Sequence, residues 1–438
     1  MRAHLHCIIQ AALAAVDPGP ALRRHLQREG HTLQVGDRSY DLRRFRRVVA
    51  VGAGKAGAPM AAALESILGD YLSGGLVSVK YGHAHATPGQ VQVVQADHPV
   101  PDASGAAAAE RVLALAASLG ADDLLICLLS GGGSALLPAP APGLTLDHKQ
   151  AATTALLRSG ATINEMNAVR KHLSAIKGGQ LARAAHPATV ITCILSDVVG
   201  SPLEVIASGP TVPDSSTYAE ALAVLARYGL EKEVPPTVWT HLRRGAAGQL
   251  PETPKPGDPL FQRVQTLVVA DNAVAAQAAV EEARRLGYHS LLLSTFVEGE
   301  AREVARTLAA LGKEVVRSGQ PAPRPACLVA GGETTVTVRG AGRGGRNQEL
   351  ALAAALALEG WNDVALAAVA TDGSDGPTDS SGAIVSGATA GRARAMGLDP
   401  RQALEANDAY PFFKASGEGL FLGPTQTNVN DLTLILVR

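Results

Sequence analysis

Apolar runs recur along the chain at 48–52 (VVAVG), 75–80 (GLVSVK), 91–95 (VQVVQ), 124–129 (LLICLL), 188–195 (ATVITCIL), 265–270 (QTLVVA), 289–294 (HSLLLS), 326–330 (ACLVA) and 364–370 (VALAAVA). Most are continuous, without the alternation of a half-solvated sheet, which predicts strands covered on both faces. Ala/Leu/Glu/Arg stretches of helical character lie between most of them, as at 105–119, 273–286 and 299–317. Strands alternating with helices predict an α/β fold with largely parallel sheets. Two stretches break this rhythm. Alternating Thr and Val in "GGETTVTVRG" (331–340) predict a short antiparallel strand. "TNVNDLTLILV" (427–437) predicts a final strand, at a sheet edge or paired with 333–338.

At 438 residues the chain is long enough for two or three domains. Four prolines in "AAGQLPETPKPGDPL" (246–260) mark a linker. The expected division is an N-terminal domain over 1–245, a linker over 246–262 and a smaller C-terminal domain over 263–438. A formal net charge of −1 speaks against a general nucleic-acid binder. No stretch reaches the roughly 18 uninterrupted apolar residues of a membrane span. The opening "MRAHLHCIIQAALAAVDPG" is broken by His4, His6 and Gln10 and reads as an amphipathic helix, not a signal peptide. Cys7, Cys127, Cys193 and Cys327 are far apart and read as buried thiols of a cytoplasmic protein.

Ligands of open α/β sheets collect where strands end and helices begin, so candidate chemistry is expected there. "VGAGKAG" (51–57) has the G-x-G-x-x-G spacing of a dinucleotide turn. That reading needs an acid at the end of the next strand. The next strand ends instead in Lys80, followed by Tyr81, Gly82 and His83. Lys55, within the turn, suits a carboxylate or a phosphate; a tight strand-to-helix turn needs the same glycines. "LLSGGGSALL" (128–137) holds Ser130, Gly131, Gly132, Gly133 and Ser134 after a buried strand, a phosphate-loop candidate. It is neither a G-x-x-x-x-G-K-[ST] loop nor a G-x-S-x-G elbow.

If "NAVRKHLSAIKGGQLA" (167–182) is helical, Arg170, Ser174 and Lys177 share one face, which is either solvated or an anion site. Asp197, ending an apolar strand, can take a hydroxyl proton, hold a metal or cap a helix. Arg343 and Arg346 stand at a glycine-rich helix entry, "RGAGRGGRNQEL" (339–350), suited to an anion fork. Asp372, Asp375 and Asp379 in "ATDGSDGPTDSSG" (370–382) are either magnesium ligands or a metal-free turn. His83 and His85 form an H-x-H pair without a visible third ligand and read as loop histidines.

Glycine cradles, cations and strand-end acids together suit phosphoryl transfer better than hydride transfer. The blocks "VGAGKAGAPM", "HPVPDASG", "LLSGGGSALL", "NAVRKHLSAIKGGQLA", "SDVVGSPLEVIASGPTVPD", "GGETTVTV", "GRGGRNQEL" and "ATDGSDGPTD" resemble, in order, the signatures of glycerate 2-kinases with a MOFRL C-terminal domain. The resemblance runs over roughly 5–435. It implies ATP-dependent phosphorylation of D-glycerate at the 2-hydroxyl, with Mg²⁺. It also implies a Rossmann-like N-terminal domain, a smaller mixed-sheet C-terminal domain and an active cleft between them. The family's key lysine falls on Lys55 and its key arginine on Arg346. On this basis Lys55, Arg346 and Asp197 are expected to be catalytic, with Lys55, Arg170 and Arg346 on the substrate. The 130–134 loop is expected on the nucleotide phosphates, and Asp372 or Asp375 on the metal. Glycerate and ATP are the expected small-molecule partners, with no nucleic acid and no membrane; a homo-oligomer stays open. An NAD(P)H-dependent hydroxypyruvate reductase, a kinase for another small hydroxy acid and a non-catalytic sugar-acid sensor are the alternatives.

Overall fold

The computed structural model describes residues 1–84 and 86–438, and every apolar run named above is part of a strand. The residues group into two units, Pro18–Val269 and Met1–Asp17 with Ala270–Arg438.

The first unit opens with an antiparallel meander of short polar strands, β1 (Leu26–Glu29), β2 (Thr32–Val35) and β3 (Arg38–Asp41). Six strands follow: β4 (Arg47–Ala53), β5 (Leu72–Lys80), β6 (Val91–Ala96), β7 (Asp123–Leu129), β8 (Thr189–Leu195) and β9 (Val264–Ala270). They lie in the order β6-β5-β4-β7-β8-β9, with β4, β5, β6, β7 and β8 all parallel. Counted from β4 this is 3-2-1-4-5-6, the Rossmann order, with its switch point between β4 and β7. Val49, Val51, Leu125, Cys127, Val190 and Ile194 are buried in one apolar cluster with Ala108, Ala109 and Val112 of the helix Ala103–Ala117. Each such Val or Leu contributes about 1.5–3 kcal/mol on burial, which fixes the strand ends that carry the glycine loops.

The proline-rich stretch does not separate the units. Pro254 O accepts from Asp214 N at 2.8 Å, Thr253 Oγ1 donates to Asp214 Oδ2 at 2.9 Å, and Glu252 Oε1 accepts from Tyr218 N at 2.9 Å. These bonds strap it onto the first unit, and the chain then supplies β9 to the same sheet. The division therefore falls at 17/18 and 269/270, not at 246–262. The helix Arg2–Ala15 belongs with the C-terminal half because its apolar stripe, Leu5, Ile8, Ile9 and Ala12, is buried and it packs on the helix Asn272–Arg285.

The second unit has a mixed sheet of β10 (His289–Glu300), β11 (Ala326–Thr335), β12 (Val364–Ala370), β13 (Gly382–Ser386), β14 (Gly419–Leu420) and β15 (Asp431–Val437), ordered β10-β11-β15-β12-β13-β14. β10 and β11 are parallel; the other pairings are antiparallel. The last strand is interior, because β15 is buried along its whole length. It pairs with residues 326–332, not 333–338, while Glu333–Thr335 continue β11 in parallel with β10. Cys127, Cys193 and Cys327 are buried and all four thiols are free, but Cys7 is exposed on its helix. Among the described residues no single helix is long and apolar enough to cross a membrane.

Candidate active site

Both early glycine stretches meet at the switch point. A Cβ at Gly52 would stand 2.1 Å from Leu128 O, and one at Gly54 (φ +137°) 2.1 Å from Ser130 Oγ. Lys55 N donates to Gly131 O at 2.9 Å, Ala56 N to Ser130 Oγ at 3.0 Å, and Ser130 N to Ala53 O at 3.0 Å. Pro59 has no N–H to offer. The glycines of the first turn thus admit the second loop, and amides that a dinucleotide pyrophosphate would use are taken. Anion capacity passes to the second loop. Gly132 is left-handed (φ +83°), and the amides of Gly131 and Gly132 have no hydrogen-bond partner among the described residues.

Cations gather beside that loop. Lys177 Nζ donates to Ser134 O and Oγ, both at 2.8 Å. Lys149 Nζ donates to Ala139 O at 3.0 Å. Burial depresses Lys177 well below its ordinary value, and the like charges of Lys149 and Arg170 push it further. Burial, then Arg170, lowers Lys149 to about 7, and burial lowers Arg170. Among the described residues no carboxylate pairs with these three groups. The expected basic helix face is only partly helical. The helix Ile163–His172 carries Arg170 but ends before Ser174 and Lys177. Ser174 Oγ instead donates to Ala139 O at 3.0 Å, while Lys177 turns to the loop.

Asp197 lies against the same loop, because β7 and β8 are neighbours: its Oδ2 stands 2.1 Å from where a Cβ on Gly131 would be. His98 Cδ2 lies 3.0 Å from the equivalent point on Gly132. Burial, then Lys55 and Lys80, lowers His98 to about 4. Ser134 Oγ is 3.2 Å from Ser208 Oγ, which donates to Asn167 Oδ1 at 3.3 Å. Ala207 and Ser208 hold left-handed backbone (φ 50° and 60°), a strain that the surrounding loop must stabilise.

In the second unit Arg346 opens the helix Arg346–Ala357. Its Nε donates to Asp431 Oδ2 at 2.5 Å, Nη2 to Asp431 Oδ1 at 3.1 Å and Nη1 to Glu333 Oε1 at 2.6 Å. Burial alone would lower this guanidinium, but Asp431 and Glu333 hold it above its ordinary value. Burial raises Asp431 to about 6 against the pull of Arg346. Arg343 is elsewhere: it donates to Pro377 O and stacks on Tyr410.

Asp375 caps that helix. Oδ1 accepts from Asn347 N (3.1 Å) and Nδ2 (3.2 Å), and Oδ2 from Gln348 N (2.8 Å) and Nε2 (2.9 Å). Four N–H donors occupy its oxygens, so it does not fit the metal role expected of it. Asp372 Oδ1 accepts from Ser374 N at 3.0 Å, a turn bond, and Asp379 Oδ1 accepts from Tyr410 at 2.7 Å. Among the described residues no group of three or more His, Cys, Asp or Glu is arranged to hold a metal. The His83–His85 pair cannot be followed, since His85 lies outside the described residues.

Sequence reading missed Lys149, Glu333 and Asp431. Lys149 sits in an ordinary helix without any local signal. Asp431 had one: an acid entering a wholly apolar strand.

Residues 4–243 match the family described as a domain of unknown function (DUF4147), and residues 326–431 match the MOFRL family. A D-glycerate 2-kinase of Thermotoga maritima is 45% identical over 89% of this chain and 91% of its own length. A protein of Agrobacterium vitis with the provisional name hydroxypyruvate reductase is 44% identical over 99% of this chain and 94% of its own length. The crystal structure of the glycerate kinase from Thermotoga maritima superposes with a TM-score of 0.87, at 42% identity, covering 98% of each chain.

Proposed function

Because the chain belongs to the glycerate 2-kinase family with a MOFRL region, we propose that it transfers the terminal phosphoryl group of ATP to the 2-hydroxyl of D-glycerate, releasing ADP and 2-phosphoglycerate. The observation that carries this reading is the glycine loop, with two amides unpartnered among the described residues, beside two buried lysines and the partly buried Arg170, which no carboxylate among those residues compensates. Burying positive charge without a counter-charge is costly, and a polyanion is what would offset it.

The Gly131 and Gly132 amides, with Ser130, Gly133 and Ser134 shaping the loop, receive nucleotide phosphates. Lys177, Lys149 and Arg170 balance their charge. Lys55, joined to Gly131 through its own amide, supplies an ammonium for the phosphoryl group in transit. Phosphoryl transfer is catalysed chiefly by such positioning and charge stabilisation. Asp197, packed on Gly131, takes the proton that leaves the 2-hydroxyl as the new O–P bond forms and the bond to ADP breaks. Arg346 is a second substrate cation in this reading. Its guanidinium already rests on Asp431 and Glu333, so binding an anion there requires a change of partner. Magnesium would come with the nucleotide, and Asp375, whose oxygens already accept four N–H bonds, does not suit it as a ligand.

Hydride transfer has less support, because the amides of the G-x-G-x-x-G turn are taken by the 130–131 backbone and side chain. A coupled assay for ADP with D-glycerate and a panel of small hydroxy acids tests the proposal, with phosphorus NMR to identify the ester. ADP release with D-glycerate and a 2-phosphate product is the expected result. Oxidation of NADH by hydroxypyruvate, with no dependence on ATP, overturns it.

A further inference from the structure

A cavity of about 730 Å³ lies in the first unit, between the helix Ile163–His172 and the loops around 202–205 and 212–216. It is lined by residues of two of the sequence blocks, 167–182 and 196–214, but by none of the glycine loop and none of the three basic residues beside that loop. Its volume is that of a small-ligand pocket, about 300–1,000 Å³. Asn167, Ala168 and Lys171 line one side; Leu203, Glu204 and Val205 line the other.

The ammonium at this cavity has counter-charges, unlike the basic groups beside the glycine loop. Lys171 Nζ bonds to Asp214 Oδ1 at 3.0 Å and to Glu204 Oε2 at 3.3 Å. With its ammonium already held by two carboxylates the cavity offers no spare cation to an anion, and its Pro, Leu and Val lining suits an uncharged, partly apolar body. Two polar groups remain to read it. Asn167 is only 4% exposed, and its Nδ2 has no hydrogen-bond partner among the described residues. A buried amide donor left unsatisfied costs about 1–3 kcal/mol, which a ligand acceptor would recover. Glu204 Oε2 is taken by Lys171 and Ser215, which leaves Oε1 as an acceptor for hydroxyls.

The cavity is also tied to the glycine loop. Asn167 Oδ1 accepts from Ser208 Oγ, and Ser208 Oγ meets Ser134 Oγ. A ligand spanning both places has an apolar ring system with an acceptor, a pair of hydroxyls and a phosphate tail. We propose that the cavity takes the nucleoside of the phosphoryl donor. The base packs on Leu203 and Val205 and accepts from Asn167 Nδ2, the ribose hydroxyls donate to Glu204, and the phosphates run to 130–134. A carboxylate reading ribose hydroxyls is the same chemistry that dinucleotide folds use. The inference rests on the kinase reading above and adds the location of the donor's nucleoside to it.

Two variants test it, Ala168→Phe, which fills the cavity from the helix, and Glu204→Gln, which keeps the shape and removes the acceptor charge. Steady-state KM values for ATP, 2′-deoxy-ATP and D-glycerate are measured, with ADP binding by calorimetry. Ala168→Phe should raise KM for ATP and weaken ADP about tenfold or more, leaving KM for D-glycerate within about twofold. Glu204→Gln should cut the preference for ATP over 2′-deoxy-ATP by about threefold to tenfold. Glu204 is half-exposed on its side chain, so this variant folds even if the larger one does not. If the wild-type chain phosphorylates D-glycerate but Glu204→Gln keeps both nucleotide KM values and ADP affinity unchanged, the nucleoside binds elsewhere and the inference fails while the kinase reading stands. If the wild-type chain neither binds ADP nor releases it from ATP, the kinase reading fails and takes the inference with it.

Discussion

In the first unit Lys149, Arg170 and Lys177 crowd beside a glycine loop, the two lysines on neutral oxygens and none of the three paired with a carboxylate among the described residues, whereas in the second unit Arg346 is clamped by Asp431 and Glu333. Both clusters hold half-buried or buried cations next to glycine-rich chain. The difference lies in who supplies the counter-charge. Where the protein supplies it, the cation stabilises the fold and is hard to recruit. Where it does not, the fold carries a cost that a bound polyanion removes. The two clusters should therefore respond to neutral substitution with opposite signs.

The largest effect is expected at Arg346→Met. It leaves the buried Asp431 and the half-exposed Glu333 without their guanidinium and, with that exposure discounted, should cost about 2–4 kcal/mol in urea unfolding. A loss below about 1 kcal/mol would mean that the clamp is not what holds this region together. Next comes Lys55→Ala, which should lower turnover about a thousandfold, roughly 4 kcal/mol of transition-state stabilisation, with the thermal midpoint nearly unmoved. Near-normal turnover removes Lys55 from the mechanism.

Arg170→Met sharpens the contrast. ADP affinity should fall about tenfold, while unfolding stability in the absence of nucleotide stays level or rises by up to about 1 kcal/mol. Equal destabilisation by Arg170→Met and Arg346→Met would erase the distinction between the clusters. The smallest effect concerns His98, whose folded value of about 4 lies below its ordinary 6.5. As pH falls from 6.5 towards 4 the unfolded chain takes this proton first, so stability present above 6.5 is lost across that window. With partial exposure discounted, His98→Asn should shrink the stability difference between pH 7 and pH 4.5 by about 1 kcal/mol.

Much of this could be read from residues alone. Continuous apolar runs gave the strands, because burial on both faces leaves no alternation to mislead. Gly131–Gly133 and Asp197 were found as loop and acid, since strand ends are where α/β sheets place them. The G-x-G-x-x-G spacing was ambiguous for a physical reason: glycines that let a phosphate approach also let a neighbouring backbone approach, and here Ser130 occupies the space. Asp375 looked like a metal ligand because a turn acid and a helix cap share the same residues and differ only in what lies opposite. Lys149 and Lys177 could not be joined in advance, because their meeting depends on long-range packing. The short meander of β1–β3 was hidden by its polar, four-residue strands.

The helix Arg2–Ala15 packs with residues 270–438, while Pro18–Val269 form a unit of their own. On the ribosome this orders events. This helix must wait, with Leu5, Ile8, Ile9 and Ala12 uncovered, until its partner Asn272–Arg285 emerges some 250 residues later. The unit Pro18–Val269 can close in that interval, since its contacts are its own. A fragment beginning at residue 270 would lack the stripe that covers its own Asn272–Arg285 helix, so the C-terminal half is a unit of space but not of synthesis.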